Sequence, residues 1–336
     1  MLGGYDRYIY GDLFDNLADL LRVGTSIKLS DIYQAYSTEF GYIGFNWAVA
    51  HITNNRYIFI FLYTICMYAI ILYSFRKYAK NYSLASILFL ALVFYFSFTY
   101  LRQMFAAAII GLSIRYIIER KFLKYCAIIF AAFSFHNSAI IFFPMYFIAN
   151  KKYSKAHILL LMSVFFIIGV TGITSSLYNL FDDISTRAAH ADYAVQGDTR
   201  IAYILEAGFF LFFLIKSYRH LSDTKQSIVL YNIALAFCAI LLLFIRSENG
   251  GRLSWYFIYG LIFSLTQLLT TKYGKHHRFD LYIIAVSLFL FLRITVEWSF
   301  NMCPYKTFLT PGHTAAEWIY ERYEYDLKYD MDKFYR

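Results

Sequence analysis

Charged residues are scarce in this chain: they make up 16% of its 336 residues, while apolar residues make up 60%. This composition excludes an ordinary soluble domain of the same length. The chain has only 4 cysteines, and none is spaced as a metal-binding pair. The Gly-x-x-x-x-Gly-Lys loop, the Gly-x-Ser-x-Gly elbow and the His-Glu-x-x-His zinc pair are all absent. These absences leave a multi-spanning membrane protein without the common nucleotide, hydrolase or zinc motifs.

Aromatic residues, in contrast, are abundant, with 33 Tyr, 35 Phe and 4 Trp. Such rings concentrate at the two interfaces of a membrane, and they also suit a site that binds sugar rings. The net charge is +9, but no basic cluster or motif typical of a DNA- or RNA-binding protein accompanies it. We therefore predict no nucleic-acid partner and attribute the positive charge to membrane topology.

Apolar runs of membrane-spanning length predict a series of helices. They cover residues 57–75, 83–100, 104–118, 156–177, 201–218, 227–245, 254–271 and 280–297. The stretch 122–150 is too long for one simple helix, and His136, Asn137 and Ser138 divide it. We predict a hairpin of two short helices there. The predicted fold is an all-α polytopic membrane protein with about ten spanning or half-spanning helices.

The basic residues favour this arrangement, because short cytoplasmic loops collect Lys and Arg. With the hairpin in place, the lysine-rich connections share one side: 76–80, 120–124, 151–155, 216–225 and 272–278. The opposite connections lie around Arg102, around His136, at 178–200 and at 246–252, and their basic residues are arginines only. We predict that the lysine-rich side is cytoplasmic and that the arginine side is the outer face of the membrane.

Both chain ends fall on the arginine side in this scheme. We expect residues 1–56 to form an outer-face N-terminal region with an interfacial helix near 43–52. Residues 57–297 are the predicted transmembrane helical domain, and residues 298–336 are an outer-face C-terminal region. Residues 1–56 contain no signal-like apolar segment, so we expect that an N-terminal helix is missing from this chain.

Several short motifs lie near the ends of the apolar runs. They are Tyr100-Leu101-Arg102-Gln103, Arg115-Tyr116, Phe135-His136-Asn137-Ser138-Ala139 and Pro304-Tyr305-Lys306. These motifs resemble those of the EpsG and Wzy-type polysaccharide polymerases, and the resemblance covers almost the whole chain. The early Gly4-Tyr5-Asp6, with Tyr10 and Phe14, is similar to the segment after the first helix of that family. The arginine–glutamine and histidine–serine pairs are the most specific of these features.

The resemblance implies an enzyme that joins oligosaccharide repeat units carried on undecaprenyl diphosphate. It would work at the periplasmic face of the bacterial inner membrane and build O-antigen, the outer part of lipopolysaccharide, or a related surface polysaccharide. Its fold would be like that of the C-type glycosyltransferases. Donor and acceptor would both be lipid-linked, in contact with membrane lipid, and a chain-length regulator protein is a candidate further partner.

A diphosphate leaving group needs positive charge, and the predicted outer loops lack the paired acidic residues typical of a magnesium site. We therefore predict no metal and no other cofactor. Arginine can bind phosphate through two parallel hydrogen bonds, so Arg102, Arg246 and Arg252 are the catalytic candidates. For any one of them, the alternative is a solvated loop residue in a weak ion pair.

His136 is the candidate general base for the acceptor hydroxyl, because imidazole titrates near neutral pH and this turn lies on the arginine side. In a second interpretation His136 is a structural turn residue, and Asn137 or Ser138 caps the next helix. In a third, His136 positions substrate or binds phosphate.

Other side chains are predicted to bind substrate. They are Gln103, Asn137, Ser138, Arg200, Tyr203, Glu206, Asp6 and Tyr305. Arg200, Tyr203 and Glu206 fall roughly on one helical face and could form a polar stripe open to the arginine side. A carboxylate within an apolar run must be paired or line a cavity, so Glu206 could equally make a structural contact between helices.

Two other functions are compatible with these features. A transporter that flips lipid-linked glycans would also need arginines for diphosphate and aromatics for sugar, but such transporters often contain internal repeats, which are not obvious here. A membrane acyltransferase could use a histidine as base, although its acyl donor would usually enter from the cytoplasmic side.

Overall fold

The computed structural model describes residues 7–174, 199–247, 249–272 and 277–302, and its elements are all helical. Three helices come first: α1 (Arg7–Arg22), α2 (Asp31–Tyr36) and α3 (Phe40–Ala50). The apolar helices of the bundle follow. They are α4 (Arg56–Tyr78), α5 (Tyr82–Thr99), α6 (Leu101–Ile118), α7 (Phe122–Phe135), α8 (Met145–Ile148), α9 (Lys155–Thr171), α10 (Ile201–Ser217), α11 (Lys225–Leu243), α12 (Ile258–Lys272) and α13 (His277–Met302).

Within the described ranges, five helices are long and apolar enough to cross a membrane: α4, α5, α6, α10 with the turn that follows it, and α11. This finding confirms the predicted all-α polytopic class. The predicted hairpin is also present, because α7 ends at Phe135 and His136 has an extended backbone (φ −157°, ψ 119°). A 3-10 helix, Asn137–Phe142, then leads into α8.

Among the differences between the predicted and the observed helix ends, three change a connection. The break between α5 and α6 is a single non-helical residue, Tyr100 (φ −96°, ψ 57°), so Arg102 lies in the first turn of α6 and not in a loop. The predicted helix 156–177 ends at Thr171, where Gly172 has φ 74° and stops it. The predicted helix 254–271 is preceded by a 3-10 helix, Gly250–Phe257, before α12 begins.

The lysine-rich connections meet at one end of the bundle, which we call the lysine end. Lys152 Nζ lies 2.5 Å from Asp223 Oδ1, and Tyr218 donates a 2.6 Å hydrogen bond to the Tyr153 carbonyl. Gln267 Nε2 donates to the Tyr78 carbonyl at 3.4 Å. The first two contacts join the connection before α9 to the one between α10 and α11, and the third joins the end of α4 to α12.

The remaining connections meet at the opposite end, which we call the arginine end. The Arg200 N–H donates to the Ile245 carbonyl at 2.8 Å. Gln103 Nε2 donates to the Arg252 carbonyl at 3.0 Å, which ties the start of α6 to the segment between α11 and α12. Among the described residues, the connections are therefore divided between two ends as predicted.

The N-terminal helices are packed onto the arginine end. Arg56, at the start of α4, forms ion pairs with Asp12, at 2.8 Å, and with Asp15, both in α1. The Phe14 ring stacks on Phe59 with centroids 4.5 Å apart. These contacts fix α1 against the first turn of α4.

The helix expected near 43–52 is α3. It buries Tyr42, Ile43, Asn46 and Val49 and leaves Phe40 and Trp47 exposed on its other side. The exposed side carries these two aromatic rings, and the interfacial position of the helix stays a prediction. The buried side brings the residue before α3, Glu39, into the bundle.

Gly41 sets how closely α3 approaches α7. A Cβ on Gly41 would overlap Ser134 Oγ and would lie 3.1 Å from the Phe135 ring. Only glycine leaves room for this contact, which places Glu39 beside the end of α7.

We expect Gly41→Val to push α3 away from α7 and to lower the free energy of unfolding by about 1–3 kcal/mol, the usual cost of overpacking. The measurement is thermal unfolding of the purified protein in detergent. Gly44→Val is the matched control, since a Cβ on Gly44 would meet no atom within 4 Å. Equal unfolding temperatures for the two variants would contradict the close approach.

Candidate active site at the arginine end

Glu39 is the centre of the polar cluster at the arginine end, and sequence analysis missed it. Its side chain is 5% exposed, and Oε2 forms an ion pair with Nη1 of Arg102. Oε1 accepts a 3.3 Å hydrogen bond from the Asn137 N–H and lies 3.9 Å from Nδ1 of His136. One carboxylate therefore joins the start of α6 to the break after α7. The only sequence signal was a carboxylate directly before an apolar aromatic helix.

Arg102 lies among tyrosine rings. Its Cζ is 3.7 Å from the ring centroid of Tyr36 and 5.7 Å from that of Tyr42, which are cation–π distances. Burial raises the pKa of the Tyr42 phenol, so this group stays neutral. The negative charge opposite Arg102 therefore comes from Glu39, and much of the arginine charge is balanced before any ligand binds.

His136 is held by a chain of hydroxyl groups. Its Nδ1 lies 3.0 Å from Ser138 Oγ, which in turn lies 2.8 Å from the hydroxyl of Tyr256. Nδ1 also accepts from the Ser138 N–H at 3.4 Å, so the histidine itself caps the following 3-10 helix. Asn137 Nδ2 donates to Thr38 Oγ1 at 2.8 Å. Because these contacts engage Nδ1, Nε2 points away from Ser138. Tyr256 is a second site residue that sequence analysis missed.

Gln103 and Arg252 form an adjacent part of the cluster. Gln103 is 2% exposed, and its amide holds the backbone carbonyl of Arg252. The Arg252 guanidinium lies 4.9 Å from the ring centroid of Tyr100, at the break between α5 and α6. Gln103 therefore positions the segment that carries Arg252. A substrate contact was predicted for the Gln103 side chain, and in this structure its amide is bonded to the protein backbone.

Arg246 and Arg200 are brought near each other by the bond between the Arg200 N–H and the Ile245 carbonyl. The Nε atom of Arg246 is buried and has no hydrogen-bond partner within the described part of the chain. The Tyr203 ring packs directly on Gly251, where a Cβ would overlap it. Tyr203 therefore faces the segment that carries Arg252.

Glu206 is less close to the cluster. It lies further along α10, is partly buried, and interacts electrostatically with Arg293 of α13. Tyr203 faces Gly251 and lies within electrostatic range of both Arg200 and Glu206, so the predicted stripe of these three residues stays a prediction. Asp6, Tyr305 and residues 175–198 lie outside the described residues, so their predicted roles stay predictions.

Comparison with known proteins gives one match. No curated protein and no solved structure matches the chain, so the expected likeness to the C-type glycosyltransferase fold stays a prediction. The EpsG family model matches residues 4–307, which include every described residue of the cluster. This match covers most of the 336 residues and indicates a membrane protein of polysaccharide polymerisation. The chain therefore belongs to the EpsG family.

Proposed function

We propose that this protein polymerises oligosaccharide repeat units carried on a lipid diphosphate, with undecaprenyl diphosphate as the expected carrier. The product would be O-antigen or a related surface polysaccharide, made at the periplasmic face of the bacterial inner membrane. The observation that carries the proposal is the cluster in which Arg102 and His136, from separate turns, share the Glu39 carboxylate. Arg252 is held beside it by Gln103.

In the proposed reaction, an oxygen of the acceptor sugar forms a bond to the anomeric carbon of the growing glycan. The bond between that carbon and the donor diphosphate breaks, and the lipid diphosphate leaves with the electron pair. The acceptor hydroxyl loses its proton to a base. Negative charge therefore grows on the diphosphate, and positioned cations lower the barrier.

The contacts within the cluster suggest different roles for the three arginines. Glu39 already balances the charge of Arg102, so we assign Arg102 to holding Glu39 and the two turns in place. Arg246 and Arg252 are assigned to the diphosphate. The buried Nε of Arg246, without a partner within the described ranges, could donate to a diphosphate oxygen. Arg102 also has such an Nε, so the distinction between the two rests on the ion pair of Arg102 with Glu39.

His136 is assigned as the base. This role uses the tautomer in which Nδ1–H donates to Ser138 Oγ at 3.0 Å, which replaces the 3.4 Å bond that Nδ1 accepts from the Ser138 N–H in the other tautomer. Nε2 then carries the lone pair that takes the proton. The resulting imidazolium would be stabilised by Glu39 Oε1, 3.9 Å from Nδ1. Ser138 and Tyr256 would keep the ring in this orientation.

The test is complementation of the source strain with this gene deleted, with the glycan ladder compared at matched membrane abundance. Wild type should restore the ladder. His136→Ala and His136→Gln should both lower polymer yield by about a hundredfold or more, the usual contribution of a general base. Lys152→Gln at the lysine end is the control and should restore a normal ladder, since Lys152 belongs to a surface ion pair.

Other outcomes would contradict the proposal. Glutamine can still donate a hydrogen bond but cannot take a proton, so a normal ladder from His136→Gln would exclude the base role. Loss of even single repeat units from the cell surface would indicate failed export and would favour a transporter of lipid-linked glycans.

A further inference from the structure

A cavity with both basic and apolar lining residues lies at the lysine end, between α4, α6 and α7. Its volume is about 460 Å³. Lys77 of α4 and Arg115 of α6 lie at its mouth, together with the rings of Tyr73, Tyr78 and Tyr116. This cavity is on the opposite end of the bundle from the Glu39 cluster, so it is separate from the proposed active site.

The mouth of the cavity has excess positive charge. Glu119 is hydrogen-bonded to Lys121 at 2.8 Å and to Arg115 at 2.5 Å, and these two bonds lower the pKa of the carboxyl to about 2. Glu119 is therefore ionised at neutral pH, but its single negative charge is shared between Lys121 and Arg115. Lys77 lies within electrostatic range of Arg115 and adds a third positive charge. An anion between Lys77 and Arg115 would relieve their repulsion.

Tyr78 provides an independent indication of a ligand. Its side chain lines the cavity, the residue is 3% exposed, and its hydroxyl has no hydrogen-bond partner within the described part of the chain. A buried hydroxyl without a partner is costly. An oxygen atom of a bound anion would satisfy it.

The inner part of the cavity is apolar. Ile70, Leu112 and Ile128 line it, and each lies nearer the middle of the bundle than the cations on the same or the neighbouring helix. At a rise of about 1.5 Å per residue, Ile70 is about 10 Å deeper along α4 than Lys77. A cationic mouth above an apolar interior matches an amphiphile better than a soluble anion.

We propose that this cavity binds an anionic membrane lipid, with the phosphate group between Lys77 and Arg115 and the first chain carbons against the apolar wall. Basic pockets between helices on the cytoplasmic side are a known mode of lipid headgroup binding. The Tyr78 hydroxyl donates to a phosphate oxygen. This inference is independent of the reaction proposed for the arginine end.

The test uses the full chain, purified in nonionic detergent and incubated with phosphatidylglycerol, with bound lipid counted by native mass spectrometry. The double variant Lys77→Gln/Arg115→Gln should weaken binding about thirtyfold, since each basic residue near an anionic lipid surface contributes about fivefold to binding. Tyr78→Phe keeps the buried ring and should weaken binding about tenfold, because it removes one bond to a charged group.

Arg76→Gln is the matched control, because Arg76 is exposed on the same turn of α4 and does not line the cavity. It should retain the lipid. An equal loss with Arg76→Gln, or equal binding of phosphatidylcholine with the same chains, would overturn the proposal. Displacement of the lipid by millimolar inorganic phosphate would also overturn it, since the cavity would then be a site for a soluble anion.

Discussion

Replacing Glu39 with alanine is expected to lower the free energy of unfolding by about 3–5 kcal/mol, the cost of leaving a buried charge without its partner. Arg102 would lose its counter-charge while its side chain stays 16% exposed. The Asn137 N–H would lose its acceptor in the same step. Polymer synthesis should fall to single repeat units, because both turns of the cluster lose their common anchor. The measurements are denaturant titration in mixed micelles and the glycan ladder.

The double variant Glu39→Ala/Arg102→Ala separates stability from function. It should recover part of the stability lost in Glu39→Ala, since no uncompensated charge is left, but it should still make no polymer. Asp223→Asn is the control, because Asp223 is 82% exposed in its pair with Lys152 and should change stability by less than about 1 kcal/mol. Unchanged stability in Glu39→Ala would show that the buried pair is not formed.

Changing Arg246 or Arg252 to lysine is expected to lower turnover by about a hundredfold while leaving the fold intact. Lysine keeps the positive charge but cannot make the two parallel hydrogen bonds of a guanidinium, and loss of one positioned donor has effects of this size. The measurement is the rate of polymer formation by the purified protein with lipid-linked repeat units.

Arg22→Lys is the control for these variants. Arg22 lies at the end of α1, and its side chain is 63% exposed in a loose pair with Asp19. The turnover of the Arg22→Lys variant should equal that of wild type. Normal turnover in both Arg246→Lys and Arg252→Lys would contradict the assignment of these residues to diphosphate binding. Arg102→Lys should instead reduce stability, because its partner is a protein carboxylate.

The architecture could be predicted from sequence because its signals are local. The length of an apolar run and the nearest basic residues suffice to place a helix and its two ends. The same reasoning placed Arg102 and His136 at one end of the bundle, and the break at His136 is where the hairpin was expected.

The partners of these residues could not be predicted, since they depend on contacts between distant parts of the chain. Glu39 is 63 residues from Arg102 and 98 residues from Asn137, and no spacing rule links such positions. Gln103 illustrates the same limit. Its place beside Arg102 suggested a ligand contact, whereas its buried amide bonds the Arg252 backbone, 149 residues away.

The position of Glu39 also has a consequence for biosynthesis. A ribosome makes Glu39 well before Arg102 and Asn137, so the carboxylate emerges without the groups that later surround it. It can be buried only after α6 and α7 have both been inserted, because burial of an unpaired carboxylate is costly. The closing of α3 onto the bundle is therefore a late event of assembly, and the cluster around Glu39 forms at that step and not earlier.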